Sequence, residues 1–454
     1  MQKRVVVIGG GPAGYEAATY ASRFGAEVIL IEKDVLGGQA HLRDCVPSKS
    51  MIATGGAMSF ARRISGMGLA EVEPTINTDH IRERIDGIQN RLESSIRSGL
   101  ESQGVRMIRG SGRLIGPREV AVTTDDGEEM FEADVFVLCT GSRPRIPDWA
   151  PIDGERIMTT RDAYPPDVIP EHLVVVGSGV TGVEFVHMFT SLGSQVTLIV
   201  SRQQVLPNKD PEAAAVLEHD FLRRGVRLYK GARATAVTRD GDEVSVVCND
   251  GRVAVGSHAL MAIGSVPNSA GLGLEAAGVE VNEHGYVISD HNMLTTAPNI
   301  YVAGDLSGRL PLSSVAAMQG RKIAEHAMGL HAGRPHRHIE YEKAASAIFT
   351  EPEIADVGLA EAEAFSAGRK IRVTKVPFST NAKALINDDP RGFVKIVSDP
   401  NTGIVLGGSI VGRHAAELIS VIALAVTAGL HVQDIHESLF VYPSLSESLS
   451  DAAE

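Results

Sequence analysis

A unit of strand, glycine turn, helix and strand occurs twice in this chain, and that repeat constrains the fold more than any other feature. The first copy covers residues 4–32 and the second 173–200. Each opens on an apolar run, Val5-Val6-Val7-Ile8 or Leu173-Val174-Val175-Val176. A GxGxxG pattern follows, formed by Gly9, Gly11 and Gly14 in one copy and by Gly177, Gly179 and Gly182 in the other. A lone GxGxxG is weak evidence, because a chance glycine-rich turn can mimic it. Two copies, each after a strand and before a helix, have the context that dinucleotide binding requires. There the first glycine permits a tight turn, the second lets backbone approach a pyrophosphate, and the third lets helix pack on strand. The helix starts, at Pro12-Ala13 and Val180-Thr181, then turn backbone N–H groups toward the phosphates.

The two copies differ where the second strand ends. Glu32 and Val200 stand at the same offset from the last glycine. Glu32, followed by Lys33, can accept a hydrogen bond from a ribose hydroxyl. Val200 cannot, and Ser201-Arg202 follow it. A carboxylate would repel a 2′-phosphate, whereas a guanidinium pairs with it. The second site is therefore expected to tolerate or prefer NADPH, with NADH still open. A further pair of echoes ends two apolar runs: Thr140-Gly141-Ser142-Arg143-Pro144 after Val135–Cys139, and Gly264-Ser265-Val266-Pro267-Asn268 after Ala259–Ile263. Each reads as a strand returning to its own sheet and stopping at a glycine beside a ligand. Gly304-Asp305 follows another strand-like run, and its carboxylate suits a sugar or ribityl hydroxyl.

Residues 79–102 carry apolar residues every three or four positions, from Ile81 to Leu100, which predicts a long amphipathic packing helix. Glu119–Val122 and Met130–Phe131, around Asp125-Asp126-Gly127, read as a hairpin. From about residue 342 the glycine fingerprints stop. Short strands around Phe393–Ile396 and Gly407–Val411, then an alanine-rich helix near 414–428, predict an α+β domain. The longest apolar stretch, Leu418 to Leu430, is too short to span a bilayer and reads as a buried helix. The expected class is α/β: two Rossmann-like dinucleotide-binding domains plus a C-terminal α+β domain. The expected bounds are 1–148 with 271–341, 149–270, and 342–454. With 43 Lys and Arg against 56 Asp and Glu, the net charge is −13, which gives no reason to seek nucleic acid or anionic lipid. Cys45, Cys139 and Cys248 are far apart, in no metal-ligand spacing, and no metal is expected. So few cysteines, with no signal-peptide pattern before the first strand, fit a reducing cytoplasm.

The stretch Gly37-Gly38-Gln39-Ala40-His41-Leu42-Arg43-Asp44-Cys45-Val46-Pro47-Ser48-Lys49 resembles the active-site segment of the pyridine-nucleotide disulfide oxidoreductases, the family of glutathione reductase and lipoamide dehydrogenase. Their pattern is GGTCxNxGCxPSK. The likeness extends over essentially the whole chain, through both glycine motifs, Thr140-Gly141, Gly264, Pro267-Asn268, Gly304-Asp305 and Tyr442-Pro443-Ser444-Leu445-Ser446-Glu447. It implies FAD on the first unit and NADPH or NADH on the second. Besides the residues above, it assigns Gly38, Gln39, Lys49, Gly112, Leu312 and Ser313 to cofactor binding. It implies a Lys49–Glu184 ion pair beside the flavin, Cys45 against the flavin ring, and a homodimer in which the C-terminal domain completes the partner's site.

Two departures decide the expected activity. The family's first redox cysteine is Ala40 here, so no disulfide can form between positions 40 and 45. The catalytic histidine of its HPTxxE segment is Tyr442, leaving only Glu447 of that pair. A phenol is a poor general base at neutral pH. With both nucleotide sites intact and the thiol relay gone, the expected enzyme passes electrons from the flavin directly to a small acceptor. It resembles the bacterial lipoamide-dehydrogenase-like NAD(P)H:quinone reductases. A soluble pyridine nucleotide transhydrogenase and a non-catalytic redox-sensing or scaffold flavoprotein are the alternatives. Cys45 is either a flavin-contacting thiolate favoured by a helix N-terminus or a packed relic. Tyr442 either donates to a quinone carbonyl or fills the space of the histidine. His41 can face the acceptor pocket.

Overall fold

The structure is a computed structural model and describes residues 2–70, 72–330 and 338–454. Two compact units form. The first comprises residues 1–48, 79–145 and 264–341, the second 49–78, 146–263 and 342–454. Each contains one copy of the repeat.

The first unit is built on a five-stranded parallel sheet in the order Ile300–Val302, Val135–Leu138, Arg4–Ile8, Glu27–Glu32, Arg106–Arg109. Both faces of its central strands are covered, so they read as unbroken apolar runs and not as alternating ones. Helix α1 (Pro12–Arg23) follows the first strand. It packs closely on helix α6 (Ser313–Ala327), because Gly320 has no side chain: a Cβ there would lie 2.2 Å from the Ala13 carbonyl. The predicted hairpin is two strands, Glu119–Thr124 and Gly127–Glu132, of a three-stranded antiparallel sheet. Helix α3 spans Thr78–Ser102; Ile81, Ile85 and Leu100 of its stripe are buried, and Ile88, Leu92 and Ile96 half-buried.

The second unit repeats the design. Its parallel sheet runs Arg227–Lys230, Gln195–Val200, His172–Val176, His258–Met261, Ile157–Thr159. Helix α4 (Val180–Ser191) follows the central strand, and α5 (Pro211–Arg223) leads to the edge strand Arg227–Lys230. In each parallel sheet the central strand has the next strand of the chain on one side and a later, returning strand on the other. The glycine turn thus leaves the carboxyl end of the sheet at a topological switch point, where ligands bind in this class of fold.

Residues 342–454 add a five-stranded antiparallel sheet, Ser346–Ile348, Glu353–Gly358, Val405–Gly412, Phe393–Ser398, Arg372–Pro377. Helix α7 (Ala415–Ala428) covers it. The apolar stretch is therefore not wholly buried, as its composition suggests. Ile419, Ile422 and Val426 pack inward, while Leu424 is 65% exposed on the far side. A helix over one face of a sheet can bury only one stripe. No helix among the described residues is long and apolar enough to cross a membrane.

Candidate active site

In the first unit the glycine turn follows the tight geometry that its sequence requires. Gly9 has φ +105°, and a Cβ there would lie 2.3 Å from the Cys139 carbonyl at the end of the neighbouring strand. A Cβ on Gly14 would lie 1.8 Å from the Gly9 carbonyl. The second copy is superimposable in logic: Gly177 has φ +108° with the Ala262 carbonyl 2.3 Å from its would-be Cβ, and Gly182 would meet the Gly177 carbonyl at 1.9 Å. So the third glycine is required by its own turn as much as by helix-on-strand packing.

The middle glycine is different. Gly11 and Gly179 precede α1 and α4 with φ near −70° (−70° and −73°), which any residue adopts. A Cβ on Gly179 would meet nothing within 4 Å. Neither backbone strain nor protein packing asks for glycine there, which leaves the room that close approach of a pyrophosphate requires. Neither helix has a side chain capping its first turn, which leaves backbone N–H groups for an anion. Val180 and Thr181 of the second turn are exposed. These cradles fit dinucleotide pyrophosphates.

Around the first turn the structure gathers most of the predicted residues. Glu32 accepts backbone N–H groups from Gly10 through Oε2 and from Asp34 through Oε1, both at 2.7 Å. Its carboxylate is thus held in place, with lone pairs left over for a hydroxyl. Lys33 is exposed, and Gln39 donates to Asp34 at 2.5 Å. Gly38 (φ +83°) lies against the turn; a Cβ on it would be 2.6 Å from the Gly11 Cα. A Cβ on Gly304 would meet the Ala13 and Ala316 side chains at 3.8 Å, and the Gly304 N–H donates to the buried Gln319 at 2.7 Å. Asp305 beside it accepts from the Ser142 hydroxyl at 2.6 Å. Gly112 packs on Ile8, the last residue of the first strand. Leu312 and Ser313 open α6. The two echoes do more than end their own strands. Ser142–Pro144 pairs antiparallel with Ser265–Pro267, and Thr140 and Asn268 exchange side-chain hydrogen bonds at 2.8 and 2.9 Å. Gly141 (φ +68°) accepts from the Asn268 N–H, and Gly264 (φ +95°) accepts from Arg145.

The segment from Gln39 to Cys45 winds as a π-helical turn into α2 (Val46–Arg63), which places Cys45 at the start of that helix. Sequence periodicity gave no sign of this turn. The His41 carbonyl receives the Val46 N–H, and the His41 Nδ1 is buried with no partner among the described residues. Burial pushes this imidazole below the usual histidine range.

In the second unit Lys49 Nζ lies 2.6 Å from Glu184 Oε2, and the Glu184 side chain is 6% exposed. Glu184 also accepts the Phe349 N–H at 2.9 Å, while the Lys49 ammonium sits 4.9 Å from the centre of the Phe349 ring. Phe349 was not predicted, and nothing in its surroundings in sequence marks it. The pair's attraction is offset by the desolvation of a buried carboxylate, so its value lies in fixed geometry. Ser201 and Arg202 are exposed beyond the end of the strand Gln195–Val200.

Tyr442 is 74% exposed and is joined to Pro443 by a cis peptide. Glu447 accepts the Ser444 N–H at 3.1 Å, so its carboxylate caps the turn after the proline. Three carboxylates, Asp210, Glu212 and Glu361, cluster closely enough to suggest a metal. The ammonium of Lys395 already fills that position, at 2.7, 2.5 and 2.8 Å from them. Burial alone would push this lysine down, but the three partners hold it above the usual lysine range.

The profile of the pyridine nucleotide-disulphide oxidoreductase family matches residues 3–320, and that of the family's dimerisation domain matches residues 344–453. The chain belongs to this family, whose members use FAD and NAD(P)H. It is 44% identical to a Mycobacterium tuberculosis protein named NAD(P)H dehydrogenase (quinone), over 100% of this chain and 94% of that one. A dihydrolipoyl dehydrogenase of Chlamydia muridarum is 32% identical over 99% of this chain and 95% of its own length. The crystal structure of LpdA from Mycobacterium tuberculosis aligns with TM-score 0.94 at 44% identity, covering 99% of both chains.

Proposed function

We propose that this protein is an FAD-dependent NAD(P)H:quinone oxidoreductase that works without a redox disulfide. The observation that carries the reading is Ala40 beside an otherwise complete cofactor framework. The thiol relay lacks one sulfur, whereas both glycine cradles are shaped for dinucleotides. Full-length similarity to a quinone-reducing enzyme supports it. When bound, the flavin supplies hydride acceptance and electron release, and the protein supplies orientation, electrostatics and exclusion of water.

Residues 1–148 and 271–341 are assigned to FAD, 149–270 to the nicotinamide cofactor and 342–454 to dimerisation. Gly11 and the start of α1 hold one pyrophosphate, with Glu32 and Asp305 accepting hydroxyls. Gly179 and the start of α4 hold the other, and Arg202 pairs with a 2′-phosphate. Glu184 fixes the Lys49 ammonium as an oriented charge for the transfer step. Cys45, at the start of α2, lines the same step. Tyr442 donates its phenol to the acceptor, and Glu447 positions the turn that carries it. A homodimer is supported by the apolar tail: Leu439, Val441 and Tyr442 are 101%, 75% and 74% exposed on the single chain, and Leu424 65%.

The test is NADPH and NADH oxidation by the purified flavoprotein with a naphthoquinone, lipoamide or a thio-analogue of NAD as acceptor. Fast turnover with the quinone and none with lipoamide is expected. Turnover with lipoamide overturns the reading, and activity with the analogue alone moves it to a transhydrogenase.

A further inference from the structure

The second glycine turn is braced by the segment 201–210, which leaves the strand Gln195–Val200 and ends at α5. Each copy of the repeat fixes the middle of its turn in the same way. The Gly10 carbonyl, between Gly9 and Gly11, accepts the Gly37 N–H at 2.9 Å. The Ser178 carbonyl, between Gly177 and Gly179, accepts the Leu206 N–H at 2.8 Å. Both donors follow the second strand of their copy, and both have a left-handed backbone, φ +114° at Gly37 and +50° at Leu206. Glycine adopts such a conformation without steric cost. Leucine does not, and it persists there only where its surroundings over-determine it. The Leu206 side chain, 2% exposed, is one restraint.

The other restraints come from the C-terminal sheet. The Lys209 N–H closes a turn on the Leu206 carbonyl at 2.9 Å. Its ammonium donates to both carboxylate oxygens of Asp356, at 2.9 and 2.8 Å, and to the Ser346 hydroxyl at 2.9 Å. Asp210 caps α5 by accepting the Glu212 N–H through Oδ1 at 2.8 Å. Through Oδ2 it accepts from the Lys395 ammonium at 2.7 Å. The Lys395 side chain is 3% exposed and is shared with Glu212 and Glu361. Two consecutive residues just after Leu206 are thus gripped by three different strands, Ser346–Ile348, Glu353–Gly358 and Phe393–Ser398. The residues before Leu206 are held otherwise. The Arg202 carbonyl accepts the Gly231 N–H at 3.0 Å, and the Val205 N–H donates to Glu218 at 2.9 Å.

Loss of this grip frees the strained residue. Leu206 relaxes to a negative φ, its N–H leaves the Ser178 carbonyl, and the peptide between Gly177 and Gly179 loses its fixed orientation. A pyrophosphate held by backbone N–H groups of that turn then binds less tightly, because their alignment is no longer prepaid. Arg202 keeps its own anchor on Gly231, so discrimination at the 2′-phosphate is untouched. We propose that Lys209, Asp356 and Lys395 are positioning residues by which the C-terminal sheet, acting through residues 206–210, sets the affinity of the second glycine turn for its nicotinamide cofactor. This rests on the assignment of that cofactor to the second turn.

The probes are NADP⁺ and NAD⁺, titrated calorimetrically into the flavin-loaded enzyme, with anaerobic stopped-flow reduction by NADPH alongside. Lys395→Met strands three carboxylates, so the primary variant is Asp356→Asn, whose partner Lys209 is 24% exposed. Ile422→Val thins the core on the helix side of the same sheet and serves as the control for a general loss of stability. Asp356→Asn should weaken NADP⁺ and NAD⁺ alike, each by about fivefold or more, because the pyrophosphate is common to both. Its flavin content and its limiting rate of reduction at saturating NADPH should match the wild type. Ile422→Val should bind both nucleotides as the wild type does. An unchanged Kd in Asp356→Asn, an equal loss in Ile422→Val, or a loss confined to NADP⁺ overturns the proposal. A wild type that binds neither nucleotide overturns the cofactor assignment and the proposal with it. Tight binding that ignores Asp356 overturns the proposal alone, and neither readout involves the quinone.

Discussion

The two glycine turns are built alike and served differently. Gly9 and Gly14 match Gly177 and Gly182 to within about 0.1 Å in the closest carbonyl approach that excludes a side chain. The first turn is then covered: Gly38 lies on Gly11, and Glu32 ties Gly10 and Asp34 into the same knot. Over the second turn nothing lies within 4 Å of a Cβ on Gly179, and Arg202 is exposed. The first arrangement suits a dinucleotide that stays, the second one that exchanges each turnover. Two residues after the third glycine both helices carry a glutamate. Burial raises Glu16 above the ordinary carboxylate range although Arg23 and Arg321 pull it down, whereas Glu184 is paired with Lys49 and a backbone N–H. The same offset thus yields a half-buried surface acid in one copy and a locked ion pair in the other.

The sharpest way to break this comparison is to add a methyl group to each third glycine. Gly14→Ala forces a carbon to 1.8 Å from a carbonyl oxygen and should give protein that purifies without flavin. Gly182→Ala should stay yellow yet lose reduction by NADPH by about 100-fold, roughly 3 kcal/mol. Stopped-flow rates near wild type for Gly182→Ala would show that the second turn is not used. Next in size, Glu184→Ala should cost on the order of 3 kcal/mol in denaturant unfolding, because it strands both the Phe349 N–H and the Lys49 charge. Lys49→Ala should cost less, since its side chain is 31% exposed. A Glu16→Ala cost as large as that of Glu184→Ala would erase the contrast between the copies. Arg202→Glu should raise the KM for NADPH about tenfold relative to that for NADH; equal effects would remove the 2′-phosphate assignment.

The smallest effect is a pH dependence peculiar to the second copy, which has His187 where the first has Thr19. Burial, then Arg224 and Arg391, push His187 well below the usual histidine range. Asp220, Glu351, Asp389 and Arg63 join these arginines, and Glu353, Arg413 and His414 line the same pocket as His187. The unfolded chain therefore takes up this proton first as pH falls. The contribution is fully present above pH ~6.5 and is lost below it, by about 1.4 kcal/mol at pH ~5.5. Unfolding free energies of wild type and His187→Asn should converge by that amount between pH ~7.5 and ~5.5; parallel curves would mean that the histidine protonates while folded.

Much of the fold was legible because its signals are local. Apolar runs of strand length, glycines at fixed offsets and the stripe from Ile81 to Leu100 each report on a few neighbouring residues, where backbone sterics and periodicity decide the outcome. The residues gathered around the first glycine turn were legible for the same reason, since most of them sit in the turns themselves. Phe349, the Gln319 brace on Gly304 and the Arg63–Arg391 network were not, since each partner is dispersed along the chain. Leu418–Leu430 misled for the converse reason: composition reports apolarity but not which side a neighbour covers.

The sequence by itself determined the two dinucleotide cradles, their differing strand ends and the loss of one thiol at Ala40, because these follow from residue type and spacing. Only the tertiary structure decided that Phe349 joins the Lys49–Glu184 pair, that the two echoes pair with each other, and that Lys395 takes the place of a metal ion. Those are matters of which side chains come within hydrogen-bond range once distant segments pack, and range of that kind is set by the packed core and not by order along the chain.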